Sequence, residues 1–249
     1  MKMSKILTLV MAVLMIVACF AACGEKKDDN VLVMGTNAAF PPYEFVDADN
    51  NIVGVDAEIA QAVAEKLGME LEIKDMAFES LITAVSSGSV DVVLAGLTVT
   101  PERAESVNFS DSYATGVQVV IVTEDSAIAA IEDLDGKKIG VQTGTTGDIY
   151  CAGDYGEEAV SRYDNGALAV AALKNGQVDC VVIDNEPAKA FVAANEGLKI
   201  LETEYITENY AAAFNKEDTE LLEKFNTALA ELKEDGTVDE IIGKYIKAE

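Results

Sequence analysis

The chain has 249 residues, half of them apolar, with four prolines, four cysteines and no histidine or tryptophan. Its 18 basic and 44 acidic side chains leave a net charge of −26, which repels phosphate backbones and argues against nucleic acid as a partner. Without histidine there is no Ser–His or Cys–His nucleophilic pair and no imidazole metal ligand, so no metal or cofactor is expected; carboxylate chemistry stays open.

In chain order, Lys2 and Lys5 precede an apolar stretch over 6–20, then Ala21-Ala22-Cys23-Gly24 and a polar run to residue 30. A basic tip, a short apolar core and small residues before a cut describe an export signal over 1–22 rather than a membrane span. No later stretch is apolar and long enough to cross a bilayer. From residue 31 onward, β-rich runs alternate with helical patterns. Strands are expected at 31–34, 71–73 and 90–94, with helices at 56–67 and 78–86. A second series follows, with strands at 117–122, 138–142 and 178–183, helices opening at 147 and spanning 167–174, and a tail of two helices, 219–233 and 238–246. The alternation predicts an α/β fold with parallel strands.

One segment recurs. Ala84-Val85-Ser86-Ser87-Gly88-Ser89-Val90-Asp91-Val92-Val93 is echoed by Ala172-Leu173-Lys174-Asn175-Gly176-Gln177-Val178-Asp179-Cys180-Val181. Each reads as a helix end, a glycine stop and a buried strand, so two similarly built lobes are expected. Ligands of α/β sheets collect beyond the carboxyl ends of strands. Attention therefore falls on Ala95-Gly96-Leu97-Thr98 and on Asp184-Asn185-Glu186. Gly144-Thr145-Thr146-Gly147, between a strand and a helix, offers backbone N–H groups to an anion but lacks the lysine of a nucleotide loop. Cys151 and Cys180 do not make a disulfide framework; free, partly buried thiols are the default and a bridge is the alternative.

Gly54-Val55-Asp56-Ala57-Glu58-Ile59 resembles the signature of the polar amino-acid family of solute-binding proteins, the receptors of ABC importers. The resemblance continues through Phe40-Pro41-Pro42-Tyr43-Glu44-Phe45, Phe78-Glu79-Ser80-Leu81, Thr98-Val99-Thr100-Pro101-Glu102-Arg103 and Asn108-Phe109-Ser110-Asp111. It closes with Gly140-Val141-Gln142-Thr143-Gly144-Thr145-Thr146-Gly147 and Leu232-Lys233-Glu234-Asp235-Gly236-Thr237, covering the body in order. It implies a two-lobed periplasmic-binding-protein-like fold of type II, with the ligand cleft between the lobes. Lobe one would comprise 31–113 and 209–249, and lobe two 114–208. Ala21-Ala22-Cys23 resembles the lipobox of bacterial lipoproteins, implying lipidation at Cys23, a linker over 23–30 and attachment to the membrane by lipid alone. Ile16-Val17-Ala18-Cys19 also fits that pattern, but Gly24 and the charged linker favour Cys23.

By the same resemblance Arg103 holds the ligand's α-carboxylate through a planar fork, helped by Thr98 and by backbone donors near Gly96 and Thr146. Asp184 takes the α-ammonium, and the rings of Phe40 and Phe78 sandwich the aliphatic part. Read on chemistry alone, a surface salt bridge from Arg103 to Glu102, Glu105 or Asp111 stands level with the carboxylate role, and Asp184 caps a helix. Specificity is assigned to Asn37, Ala39, Gln142 and Ile183. These are amide, methyl or aliphatic, so a neutral polar ligand such as glutamine is expected, with arginine next; Pro41, Glu44 or Asp148 could reshape the pocket. The expected protein is a monomeric, membrane-anchored receptor with no catalytic residues, which closes by a hinge and delivers its amino acid to an ABC permease. The alternative is an enzyme of the same fold, resembling dehydratases of cyclic dienyl substrates.

Overall fold

A computed structural model describes residues 30–202 and 204–247. The export signal over 1–22, Cys23 and the linker through residue 29 lie outside the described residues.

The first sheet takes its strands from two stretches of the chain. β1 (Val31–Thr36) is followed by a small three-stranded sheet of β2 (Ala39–Phe40), β3 (Glu44–Val46) and β4 (Ile52–Val53). Helix α1 (Val55–Leu67) buries Ile59, Ala60, Val63 and Ala64 at helical spacing and stops at Gly68. Then come β5 (Glu70–Asp75), a 3₁₀ turn (Phe78–Ser80) running into α2 (Leu81–Ser86), β6 (Val92–Val93), α3 (Pro101–Ser106) and β7 (Val107–Phe109). The order is β5-β1-β6-β14-β7, in which β14 (Ala213–Asn215) arrives from near the end of the chain. Helices α7 (Thr219–Glu234) and α8 (Thr237–Tyr245) pack against α1.

The second sheet holds β8 (Ala114–Thr123), β9 (Ile139–Gln142), β10 (Val160–Tyr163), β11 (Cys180–Asp184), β12 (Leu198–Ile200) and β13 (Ile206–Tyr210). Its order is β10-β9-β11-β8-β12, with β13 also paired to β8. Helices α4 (Thr146–Tyr155), α5 (Gly166–Lys174) and α6 (Asn185–Ala194) connect these strands. The result is a two-lobed α/β fold. Among the described residues no helix is long and apolar enough to cross a membrane.

The sheets are mixed, not parallel as expected. β1–β6, β9–β10 and β9–β11 are parallel, whereas β14 runs antiparallel to β6 and β7, and β11, β12 and β13 run antiparallel to β8. The reason lies in the crossings. β8 and β14 each enter a sheet directly from the other lobe, so no helical crossover constrains their direction.

The echo is a structural repeat. Gly88 and Gly176 both adopt left-handed φ, 74° and 68°, where glycine alone is unstrained. Ser89 and Gln177 donate backbone N–H groups to Ala84 and Ala172. The Asp91 carboxylate then accepts the N–H of Val33, and Asp179 accepts that of Lys138, both at 2.8 Å. Each aspartate thereby locks its strand to the neighbouring parallel strand; 95–98 follow the end of β6, and Asp184 is the last residue of β11, just before the helix that starts at Asn185.

Cys151 on α4 and Cys180 on β11 are buried free thiols, and burial pushes both up to about 12.

Candidate functional site

Beyond the strand ends lies a narrow cavity. Asn37, Phe40, Phe78, Ala95, Gly96, Thr98, Arg103, Gln142, Thr145, Thr146 and Asp184 line it, joined by Glu44.

Arg103 is placed by α3. Thr100 caps that helix by accepting the Arg103 N–H at 3.1 Å, and Pro101 follows at the first helical position. The side chain is buried, so a surface salt bridge to Glu102, Glu105 or Asp111 is not formed. Its guanidinium donates to the carbonyls of Thr98 at 2.8 Å and Gly144 at 3.1 Å, and lies 5.5 Å from the centre of the Phe78 ring. Burial pushes its pKa below the ordinary value, and Glu208 partly offsets this.

Asp184 ends β11 and occupies the N-cap position of α6, yet its side chain caps nothing. It turns instead into the cavity, where it accepts from Gln118 Nε2 at 2.8 Å and from the Tyr210 hydroxyl. Burial raises it to about 7; the Tyr210 hydrogen bond works against that rise and Glu208 adds to it.

Between these groups runs a band of small and hydroxyl residues. Gly96 adopts φ +52°, and a Cβ there would stand 2.8 Å from the Phe40 ring, so the backbone and the ring are in close approach. Thr145 caps α4, accepting from Asp148 N and donating to Gln142 O, so its hydroxyl is committed to the helix end. The Thr98 and Thr146 hydroxyls both donate to Glu208 Oε2, at 3.2 and 2.8 Å, and Gln118 joins them at 3.0 Å. On the far side Gln142 Nε2 donates to Asn37 Oδ1 at 2.8 Å, while the Asn37 amide donates to Met76 O. Phe40 stacks on Tyr43, which meets Tyr210 edge-on.

Two expectations change. Ala39 and Ile183 do not line the cavity, although their neighbours Phe40 and Asp184 do. Alternation along a strand sends adjacent side chains to opposite faces, and Ile183 packs toward Gly166. In the other direction, Glu44 is a buried acid in a pocket read as free of acids at its side-chain end. Its signal lay inside the 40–45 motif, one residue from the buried Tyr43. Glu208, Gln118 and Tyr210 form a polar floor that no local pattern announced; it exists because β13 pairs with β8. Among the described residues no cluster could hold a metal ion.

A two-lobed α/β fold whose strand ends converge on one cavity bearing a buried arginine and a buried aspartate defines a solute-binding protein. The match to the bacterial extracellular solute-binding proteins, family 3, runs over residues 32–248, and the chain belongs to that family. The arginine-binding extracellular protein ArtP of Bacillus subtilis is 36% identical over 251 residues, 95% of this chain and 97% of that protein. The P235GK mutant of ArgBP from T. maritima superposes with a TM-score of 0.83 at 44% identity, covering 87% of this chain and 95% of that one. An ancestral arginine-binding protein bound to glutamine gives a TM-score of 0.82 at 42% identity, covering 89% of this chain and all of the other. These relatives are binding proteins rather than enzymes.

Proposed function

We propose that the chain is the extracytoplasmic receptor of an ABC importer for a free L-amino acid. The observation that carries this is Arg103: a guanidinium in the cavity wall whose protein acceptors are two carbonyls, across from Asp184. Arg103 takes the ligand's α-carboxylate bidentately, aided by backbone N–H groups at the N-terminus of α4; the Gly96 N–H, expected to help, is already given to Asp56. Asp184, held by Gln118 and Tyr210, takes the α-ammonium. Phe40 and Phe78 flank the aliphatic stem. No step in this needs catalysis, and the ligand leaves unchanged.

The side-chain end favours arginine. Glu44 is fully buried in the cavity wall, and neither of its oxygens has a protein donor; a guanidinium supplies both donors and a counter-charge. Glutamine is the second reading, favoured by the Asn37–Gln142 amide pair, which matches an amide ligand donor for acceptor. The order of arginine and glutamine is thus the reverse of that read from Asn37 and Gln142 without Glu44.

The lobes are assigned to 31–113 with 209–249, and to 114–208, joined at the crossings near 114–119 and 206–212. A ligand touching Arg103 from one side and Asp184 from the other favours the closed state, which a permease then engages. Cys23 is assigned as the lipid anchor of a monomer; Cys23→Ser releases the protein into the soluble fraction, and release by Cys19→Ser alone would reassign the cut. A thermal-shift screen of all twenty amino acids tests the receptor reading, since selective binding raises the melting point. Arginine is expected to give the largest rise and glutamine the next. No rise with any amino acid would overturn the reading.

A further inference from the structure

Glu44, on β3, lies beside Asp56, in the first turn of α1, and both side chains are fully buried. The two carboxyls are furnished unequally. Asp56 Oδ2 accepts the Gly96 N–H at 2.7 Å and the Tyr113 hydroxyl at 2.6 Å. Asp56 Oδ1 and both oxygens of Glu44 have no protein donor. The groups acting on Glu44 from the surrounding elements are themselves acids: Asp56 from α1, Asp184 from the end of β11 and Asp75 from the end of β5. Tyr43, Tyr113 and the cavity's one cation, Arg103, complete the surroundings; both phenols are raised, chiefly by burial, and Arg103 is already turned to Thr98 and Gly144.

Two bare carboxylates in contact here would leave three oxygens without donors and like charges adjacent. One proton removes the conflict. Asp56, with two donors already on it, is the better-stabilised anion, so the proton belongs on Glu44. The Glu44 O–H then donates to Asp56 Oδ1, which satisfies both, and the remaining Glu44 oxygen faces the cavity as a neutral acceptor. Burial holds Glu44 well above the usual carboxylate range and raises Asp56 to about 6, in agreement with that placement.

We propose that Glu44 and Asp56 share one proton and that Glu44 is thereby an adjustable specificity residue. Neutral, its carbonyl oxygen accepts an N–H from an amide side chain; facing a guanidinium, it releases the proton to solvent and becomes the counter-ion. The balance is simple: a carboxylic acid plus a guanidinium cation gives a carboxylate–guanidinium pair plus one solvent proton, with no bond in the ligand altered. One pocket then serves both a neutral and a cationic side chain. This rests on the amino-acid reading above.

Calorimetry of the wild-type protein with L-arginine and with L-glutamine, in buffers of different ionisation enthalpy, counts the protons released. Any release from Asp184 on meeting the α-ammonium is common to both ligands and cancels in the difference. Arginine is expected to release about one proton more than glutamine; equal counts would overturn the proposal. Glu44→Gln should remove that difference and lower the arginine-to-glutamine affinity ratio by at least about tenfold. If arginine fails to bind, the arginine reading falls, and infrared spectroscopy of the ligand-free protein then decides the shared proton. Above the Asp184 midpoint, wild-type protein should show a carboxylic-acid carbonyl band that Glu44→Gln lacks, and its absence from the wild type would refute the proposal.

Discussion

The chain's two arginines sit in opposite surroundings. Arg162, on β10, is partly exposed and ion-pairs with Asp148 and Glu157, both at 2.8 Å. Arg103 is buried, turned to two backbone carbonyls and an aromatic ring, and no carboxylate among the described residues lies within ion-pair distance. The exposed charge is neutralised within the chain, whereas the buried one has only carbonyl acceptors. The two meet at Gly144: Arg103 grips its carbonyl, while Asp148, held by Arg162, accepts its N–H at 3.0 Å. Under the proposed function, the same residue type is a recognition group in one place and a brace for the recognition loop in the other.

The sharpest way to break that contrast is to delete the buried charges. Arg103→Ala and Asp184→Ala should each weaken amino-acid binding by at least about tenfold with the fold intact, since losing one partner of a desolvated charged contact costs about 2–5 kcal/mol. Calorimetry on the folded variants reads this, and near-wild-type affinity in both would remove the site assignment. Arg103→Lys sharpens the comparison, because it keeps the charge and loses the planar fork. It should still cost about 1.5–3 kcal/mol, the worth of a hydrogen bond to a charged group, whereas full retention would show that charge alone suffices.

A third test uses pH. Asp184 sits near 7 in the folded protein, above the ordinary value of about 3.9, so the fold retains a proton that the unfolded chain has released. The ligand-free melting point should therefore fall as pH rises from about 4 through about 7. The ligand's ammonium favours the ionised carboxylate, so affinity should rise across the upper part of that window and then level. A pH-independent affinity in titrations from about pH 5 to 8 would separate Asp184 from the ammonium.

The smallest effect belongs to Arg162. Arg162→Ala removes two ion pairs at a partly exposed side chain, worth about 1 kcal/mol of stability or less. Denaturant melts should show that small loss, and the ligand dissociation constant should move by less than about threefold. A loss of binding as large as that of Arg103→Ala would erase the distinction between the two arginines.

The positions of the candidate site residues were legible because they are attached to readable local structure, whereas their ligand roles came from the family resemblance. Arg103 follows a Thr-Pro helix start, Asp184 ends a buried strand after an echoed turn, and Thr145 and Thr146 open a helix after a glycine. Each of those signals is short-range, and each puts its residue at a strand end or helix N-terminus where ligands collect. Ala39 and Ile183 were misplaced by a single position along their strands. In β-structure that is the difference between one face and the other, and only the pairing register assigns it.

The sequence by itself determined the alternation of strands and helices, the two-fold recurrence of the helix–glycine–Val-Asp unit, and the two segments after those units as places to look for a ligand. All of these depend on contacts a few residues apart or on patterns of apolar spacing. The tertiary structure alone decided the antiparallel members of both sheets, the polar floor of Glu208, Gln118 and Tyr210, and the burial of Glu44 against Asp56. Those arise where separate elements pack together: β13 on β8, from distant parts of the chain, and the start of α1 against β3, across the intervening β4. Whether a carboxylate is solvated, paired or buried beside another acid is set by what covers it, and Glu44 is covered beside Asp56 by the packing of α1 on β3.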